Sequence, residues 1–212
     1  MDAVKDLNLT RAAAAVAVAA VLWFVMFSPW TAAPGCFWWL MSASGVILSA
    51  LALRWGRPWG SYDPRWWLQL AFGVAVAVVM WGVFWVGDKV SGWMFDFARP
   101  GVDSIYSLKT GLAPGWIAVL LLLVIGPAEE LFWRGYAQRV FSARWGAWKG
   151  FLVTWACYTL IHVWSFNFML VAAAAVCGFG WGILYRLFPR MLPGLIVSHA
   201  LWDAAAFVVF PF

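Results

Sequence analysis

The stretch Gly126-Pro127-Ala128-Glu129-Glu130-Leu131-Phe132-Trp133-Arg134 places two adjacent carboxylates inside an apolar run of about residues 115–133, and its reading decides the fold. Of the 212 residues, 65% are hydrophobic and only 11% are charged, with a mean hydropathy of +0.84. A soluble domain carries about 25% charged residues, so this chain has too little polar surface for a water-exposed globule. The alternative is a bilayer, where a crossing takes about 20 apolar residues. Glu129 and Glu130 then lie at membrane depth, where an ionisable group costs at least about 2.5–3.5 kcal/mol on insertion scales for Asp.

Working outward, low-charge runs bounded by Pro, Gly and basic residues predict seven spans, at about 12–30, 36–53, 66–86, 115–133, 149–164, 168–187 and 191–209. The reading is an all-α, polytopic transmembrane bundle divided into residues 1–114, with three spans and an outer connection, and a four-helix core at 115–212. With the N-terminus inside, the cytoplasmic segments hold eleven basic residues: Lys5, Arg11, Arg54, Arg57, Arg65, Arg134, Arg139, Arg144, Lys149, Arg186 and Arg190. The outer segments hold three, Lys89, Arg99 and Lys109. The positive-inside rule therefore predicts N-in and C-out. The net charge of +5 is accounted for by these loops and gives no nucleic-acid footprint.

The N-terminal run continues to Trp30, and Asp2 and Asp6 interrupt the basic start that a signal peptide needs, so a retained first span is expected. Cys36, Cys157 and Cys177 form no CxxC pair, which excludes a disulfide framework or a metal knuckle, and Cys36 lacks a lipoprotein cleavage box before it. Of the 19 tryptophans, Trp30, Trp38, Trp39, Trp55, Trp59, Trp66, Trp67, Trp116, Trp148 and Trp164 lie near span ends and read as an interfacial belt. The connection 87–114 carries Trp93, Met94, Phe95 and Phe97 and predicts a short helix in the outer interface. Ala174, Gly178 and Gly182 recur every four residues, a stripe that lets a neighbouring helix approach closely.

The two glutamates are the only ones in the chain, and the only two histidines, His162 and His199, also lie in apolar runs, as does Asp203. Arg134 is one turn after Glu130 and on its face, which leaves Glu129 pointing about 100° away. His199 and Asp203 share a face of the last span, and Tyr158 lies one turn before His162. A carboxylate and two imidazoles delivered to one interior point suit the activation of water. The carboxylate would take the proton as water attacks a carbonyl, and a histidine with a neighbour would stabilise the oxyanion. Glu129, His162, His199 and Asp203 are equally a donor set for a divalent metal such as zinc. Buried carboxylates and histidines also build the proton relays of transporters, and a binder that holds a membrane peptide without cutting it is a third alternative. No paired broken helices or repeated halves of a transporter are evident.

Counting about 1.5 Å per residue from these span ends places Glu129 and His199 about 10–12 Å from the cytoplasmic face and His162 about 20 Å from it. The expected boundaries thus set the candidate residues at different depths.

At these residues the chain resembles the CPBP family of intramembrane proteases, which includes the type II CAAX prenyl endopeptidases and bacterial homologues linked to bacteriocin self-immunity. The matching motifs are Glu129-Glu130-Leu131-Phe132-Trp133-Arg134, Tyr158-Thr159-Leu160-Ile161-His162 and His199-Ala200-Leu201-Trp202-Asp203, in order over about residues 115–209. The resemblance implies an endopeptidase acting on a membrane-anchored protein or peptide, with Glu129 as general base assisted by His162, and His199 and Asp203 at the oxyanion. Glu130 and Arg134 would support the site. It favours a form that requires no cofactor over the metal-dependent one. The compact single-domain layout points to a bacterial inner membrane as the location. Two positions depart from the commoner pattern: Tyr158 stands for Phe, and Asp203 for Asn. An ionised aspartate cannot donate to an oxyanion, so Asp203 is expected to be protonated, to orient His199 or to bind metal.

Overall fold

The computed structural model describes residues 8–56 and 62–212. Asp2, Lys5, Asp6, Arg57 and Trp59 lie outside these described residues, which are helical and contain no strand. The chain runs through α1 (Leu9–Phe27), α2 (Phe37–Gly56), α3 (Trp66–Met94) and α4 (Ala98–Ser107). A single rod over Pro114–Trp145 follows, made of α5 (Pro114–Leu120), α6 (Gly126–Phe132) and α7 (Arg139–Trp145) joined by wider π-helical turns. Then come α8 (Ala147–Leu160), α9 (Phe168–Leu187) and α10 (Leu192–Ala204), the last extended by a π-helical turn to Val209.

The helix limits follow from local chemistry. The Asn8 side chain accepts the Arg11 N–H at 3.1 Å and caps α1, and the Asn167 side chain accepts the Met169 and Leu170 N–H groups to cap α9. Side-chain acceptors of this kind satisfy the first orphan donors of a helix. Gly146, at φ 87°, turns the rod sharply into α8, a conformation that costs glycine little. Pro127 explains the first π-helical turn. It has no N–H to donate and its ring crowds the carbonyl four residues back, and Gly126 N–H reaches Leu121 O instead.

Among the described residues, six helical segments are long and apolar enough to cross a membrane. The seventh expected span, 149–164, is realised by α8, only 14 residues long, followed by a tight turn at Val163–Ser165. Seven apolar runs thus become six long helices and one short one. The ends of all seven nonetheless sort into two groups. At one end Arg139 donates to Gly56 O, Asp63 N–H donates to Arg190 O at 3.1 Å, and Arg186 lies over the Trp148 ring. At the other, Trp38 Nε1 donates to Leu108 O, Asn167 Nδ2 to Gly101 O, and the Tyr106 hydroxyl to Ala206 O, at 2.8–2.9 Å. Burial raises the Tyr106 phenol above its ordinary value, which keeps it a neutral donor there. Apart from Arg134, the basic residues expected inside that are described gather at the first end, and Lys89, Arg99 and Lys109 at the second. Arg134 is a correction: it is 1% exposed and belongs to the interior.

Two expected boundaries move inward or outward with consequences. The fourth span ends at Trp145 rather than 133, so Glu129 sits midway along its rod. The third runs on to Met94, which takes Trp93 and Met94 out of the connection and carries Asp88 within the helix. The short connecting helix expected there is α4.

The packing uses small residues at close approaches. On α3 and α10, a Cβ at Gly73 would lie 2.7 Å from Gly194 O, and one at Gly194 would lie 2.8 Å from Gln69 O. Gln69 also accepts Gly194 N–H at 2.9 Å. The Ala174-Gly178-Gly182 stripe receives α8: a Cβ at Gly178 would lie 2.8 Å from the Tyr158 ring and one at Gly182 would lie 3.0 Å from Phe151. Of the expected belt, Trp30, Trp39, Trp66, Trp67, Trp116, Trp148 and Trp164 are exposed, as lipid-interface indoles should be. Trp55 is half-buried, and Trp38 is buried with its indole bonded to Leu108.

Candidate active site

The helical register of α6 separates its two glutamates. Glu130 is fully buried, and its Oε1 accepts from Arg134 Nη1 and from His199 Nδ1, each at 2.7 Å. Arg134 Nη2 reaches the Cys177 and Gly178 carbonyls at 3.3 Å, and the guanidinium lies 5.2 Å from the Tyr158 ring centre. This cluster ties α6 to α9 and α10 through charge-assisted bonds, which are worth most where water is excluded. The expected one-turn pairing of Glu130 with Arg134 is present.

Glu129 faces the other way. Its Oε2 accepts the Tyr158 hydroxyl at 2.7 Å, while Oε1 makes no hydrogen bond among the described residues. The residue is 8% exposed and lines a cavity of about 480 Å³ together with Tyr158, His162, His199 and Asp203. The inward placement of Glu129 along the rod removes the depth mismatch that the expected boundaries created. One cavity wall is apolar α9, Phe168 to Cys177. The opposite wall is the second half of α3, including Val83, Phe84 and Asp88. Asp88 is ion-paired with Lys89 at 3.0 Å and with Arg99 at 3.3 Å, and so joins α3 to α4 beside the cavity. A second apolar hollow of about 400 Å³ on the outer surface shares Val83 and Val176 with the first.

The two histidines differ in what they leave free. His199 gives Nδ1 to Glu130 and lies stacked on Trp181, centroids 4.0 Å apart and planes within 9°. Trp181 is itself held by a 2.6 Å bond from its Nε1 to Ser198. That leaves His199 Nε2 toward the cavity, 3.7 Å from Asp203 Oδ1, a separation of ion pairing rather than hydrogen bonding. His162 has both nitrogens engaged: Nε2 accepts the Trp23 indole N–H at 3.0 Å, and Nδ1 bonds Tyr158 O at 2.8 Å. His162 and Glu129 share the cavity without a bond between them.

This geometry bears on a metal. Among the described residues no group of three or more His, Cys, Asp or Glu side chains is arranged to hold an ion. Of the expected donors, His162 has no free nitrogen and His199 only one. The donor set does not fit a divalent ion as placed, and no step below is routed through one.

The whole constellation lies within the segment that the family comparison picks out. Residues 111–205 match the type II CAAX prenyl endopeptidase Rce1-like family. Glu129, Tyr158, His162, His199 and Asp203 all fall inside this Rce1-like segment, and the matching family is one of membrane proteases. No curated protein and no solved structure matches the chain.

Two residues of the site escaped the sequence reading. Trp23 on α1 lies before the Rce1-like segment and Trp181 lies within it, and both sit in the middle of a span rather than at its end. That position is itself the signal. An indole N–H in hydrocarbon needs an internal acceptor, whereas a belt indole meets water.

Proposed function

We propose that this protein is an intramembrane endopeptidase in which Glu129 activates the water that cuts a membrane-associated protein or peptide. The reading is carried by one observation: Glu129 has one carboxylate oxygen fixed by Tyr158 and the other without a hydrogen bond among the described residues, in a largely apolar cavity that His199 and Asp203 also line. Oε1 takes a proton from water as its oxygen attacks the scissile carbonyl, and the proton passes to the departing amine as the C–N bond breaks. Both halves are general acid–base work of the kind worth about 10²–10⁴-fold.

His199, flanked by Glu130 at one nitrogen and Asp203 at the other, donates in its imidazolium form from Nε2 to the developing oxyanion. Asp203 orients and balances that ring, a role that a carboxylate can fill and an oxyanion donor's cannot. Glu130 and Arg134 hold the ring from behind. The chemistry needs no metal, and the substrate reaches it from the lipid, where the cavity and the outer hollow meet at Val83 and Val176. With the basic end in the cytoplasm, the cavity mouth beside α4 belongs to the opposite face of a bacterial inner membrane.

The test compares membrane proteomes, protein C-termini included, from cells with wild-type protein or Glu129→Gln at matched expression. A small set of proteins losing a terminal or anchor fragment only with wild type is expected. Identical fragments in both would overturn the proposal and favour a transporter or a silent binder.

A further inference from the structure

The last carbonyls of a helix have no partner within it, and α8 stops at Leu160. Its Cys157 and Thr159 carbonyls accept from the Ile161 and His162 N–H groups. The Tyr158 carbonyl accepts instead from the side chain of His162, at 2.8 Å from Nδ1. The direction of that bond is fixed from the far side of the ring. An indole N–H only donates, so Trp23 Nε1, 3.0 Å from Nε2, leaves Nε2 an acceptor and puts the proton on Nδ1. Trp23 is 1% and His162 6% exposed, and their rings meet edge to face at 5.8 Å. Tyr158, whose carbonyl this ring holds, carries the hydroxyl that fixes Glu129.

We infer that Trp23 and His162 form a positioning relay, in which the α1 indole locks His162 as its Nδ1–H tautomer, the ring clamps the last turn of α8, and Tyr158 is thereby held on Glu129. It follows that α1 is part of the active-site apparatus although it lies outside the matched segment. The ring of His162 thus acts on Glu129 through Tyr158. The functional side of the inference rests on Glu129 as the base; the tautomer lock does not.

The chain's two histidines make the relay directly observable, because the side-chain nitrogen spectrum of 15N-histidine protein in nanodiscs contains two imidazoles. His162 is expected to show a protonated Nδ1 and a bare, hydrogen-bonded Nε2, with His199 assigned by difference in His199→Gln. Trp23→Phe removes the donor and should shift the His162 resonances toward a mixture of tautomers. It should also lower the rate of Glu129-dependent fragment formation about tenfold, since small misplacements of reacting groups carry penalties up to about 10²-fold. Trp23→Gln, which returns an N–H, should recover part of both effects. If the smaller ring prevents folding, the benzothiophene isostere of the indole removes the donor at constant shape. A wild-type His162 protonated at Nε2, or a donor-free indole site with unchanged resonances and unchanged fragment rates, overturns the relay. Should Glu129→Gln leave all fragments in place, the base assignment fails while the spectrum still decides the relay.

Discussion

The two sides of α6 put neighbouring glutamates into opposite circumstances. On the Glu130 side, α9 and α10 close over the carboxylate, and two cationic or proton-bearing partners converge on one of its oxygens. On the Glu129 side the one hydrogen bond among the described residues comes from Tyr158, and the residue lines a cavity. The residue type is the same and the backbone offset is one residue. What differs is whether a neighbouring helix fills the space in front of the side chain. An acid is a brace in one setting and, on the function proposed above, a reagent in the other.

The contrast predicts opposite signatures for the two sides. The largest effect is expected for Glu129→Gln, which should cut fragment formation about 10³-fold, or about 4 kcal/mol of barrier, while the thermal midpoint in nanodiscs stays near wild type. A parallel loss of folded protein would erase the distinction between the sides. On the closed side, Arg134→Ala strands Glu130 without its charge partner and should cost about 3–5 kcal/mol of stability, read as a lower midpoint and less folded protein in the membrane. A folded, equally stable variant would show that Glu130 needs no partner there.

Two smaller changes probe the border between the sides. Gly178→Ala pushes a methyl against the Tyr158 ring, where a Cβ would lie 2.8 Å away. Overpacking of this sort costs about 1–3 kcal/mol, and hydrolysis should suffer more than stability because Tyr158 must move off Glu129. Tyr158→Phe keeps the packing and removes only the hydroxyl. It should lower kcat about tenfold with KM little changed, because the bond lost orients the base and touches no substrate. An increase in KM alone would place Tyr158 with the substrate instead.

Much of this arrangement was legible in the residues because hydrocarbon makes polar groups conspicuous. The four-residue spacing of Glu130 and Arg134 gave their pairing, the one-residue offset sent Glu129 to another face, and the Ala174-Gly178-Gly182 stripe announced the approach of α8. Hydropathy did less well at helix ends. Arg134 reads as the end of an apolar run, yet its charge is neutralised inside the fold and the rod continues to Trp145. Asp88 stands within α3, where Lys89 and Arg99 compensate it. Such partners lie elsewhere in sequence, so a window sum cannot see them. Trp23 and Trp181 were hidden for the same reason: their significance depends on acceptors brought by other helices.

The brevity of α8 has a consequence for the bilayer itself. Fourteen residues of helix rise about 21 Å, some 9 Å less than a hydrocarbon layer about 30 Å thick. Local thinning of the lipid is one way a short element is accommodated, and it would draw the membrane inward around the turn that follows, where Ser165 and Asn167 provide hydrogen-bonding groups. A dimple of this kind brings the aqueous phase down toward His162 and the cavity behind it. Hydrolysis within lipid would consume a molecule that lipid excludes, and the one apolar run too short to span would be the part of this fold that thins the barrier to its supply.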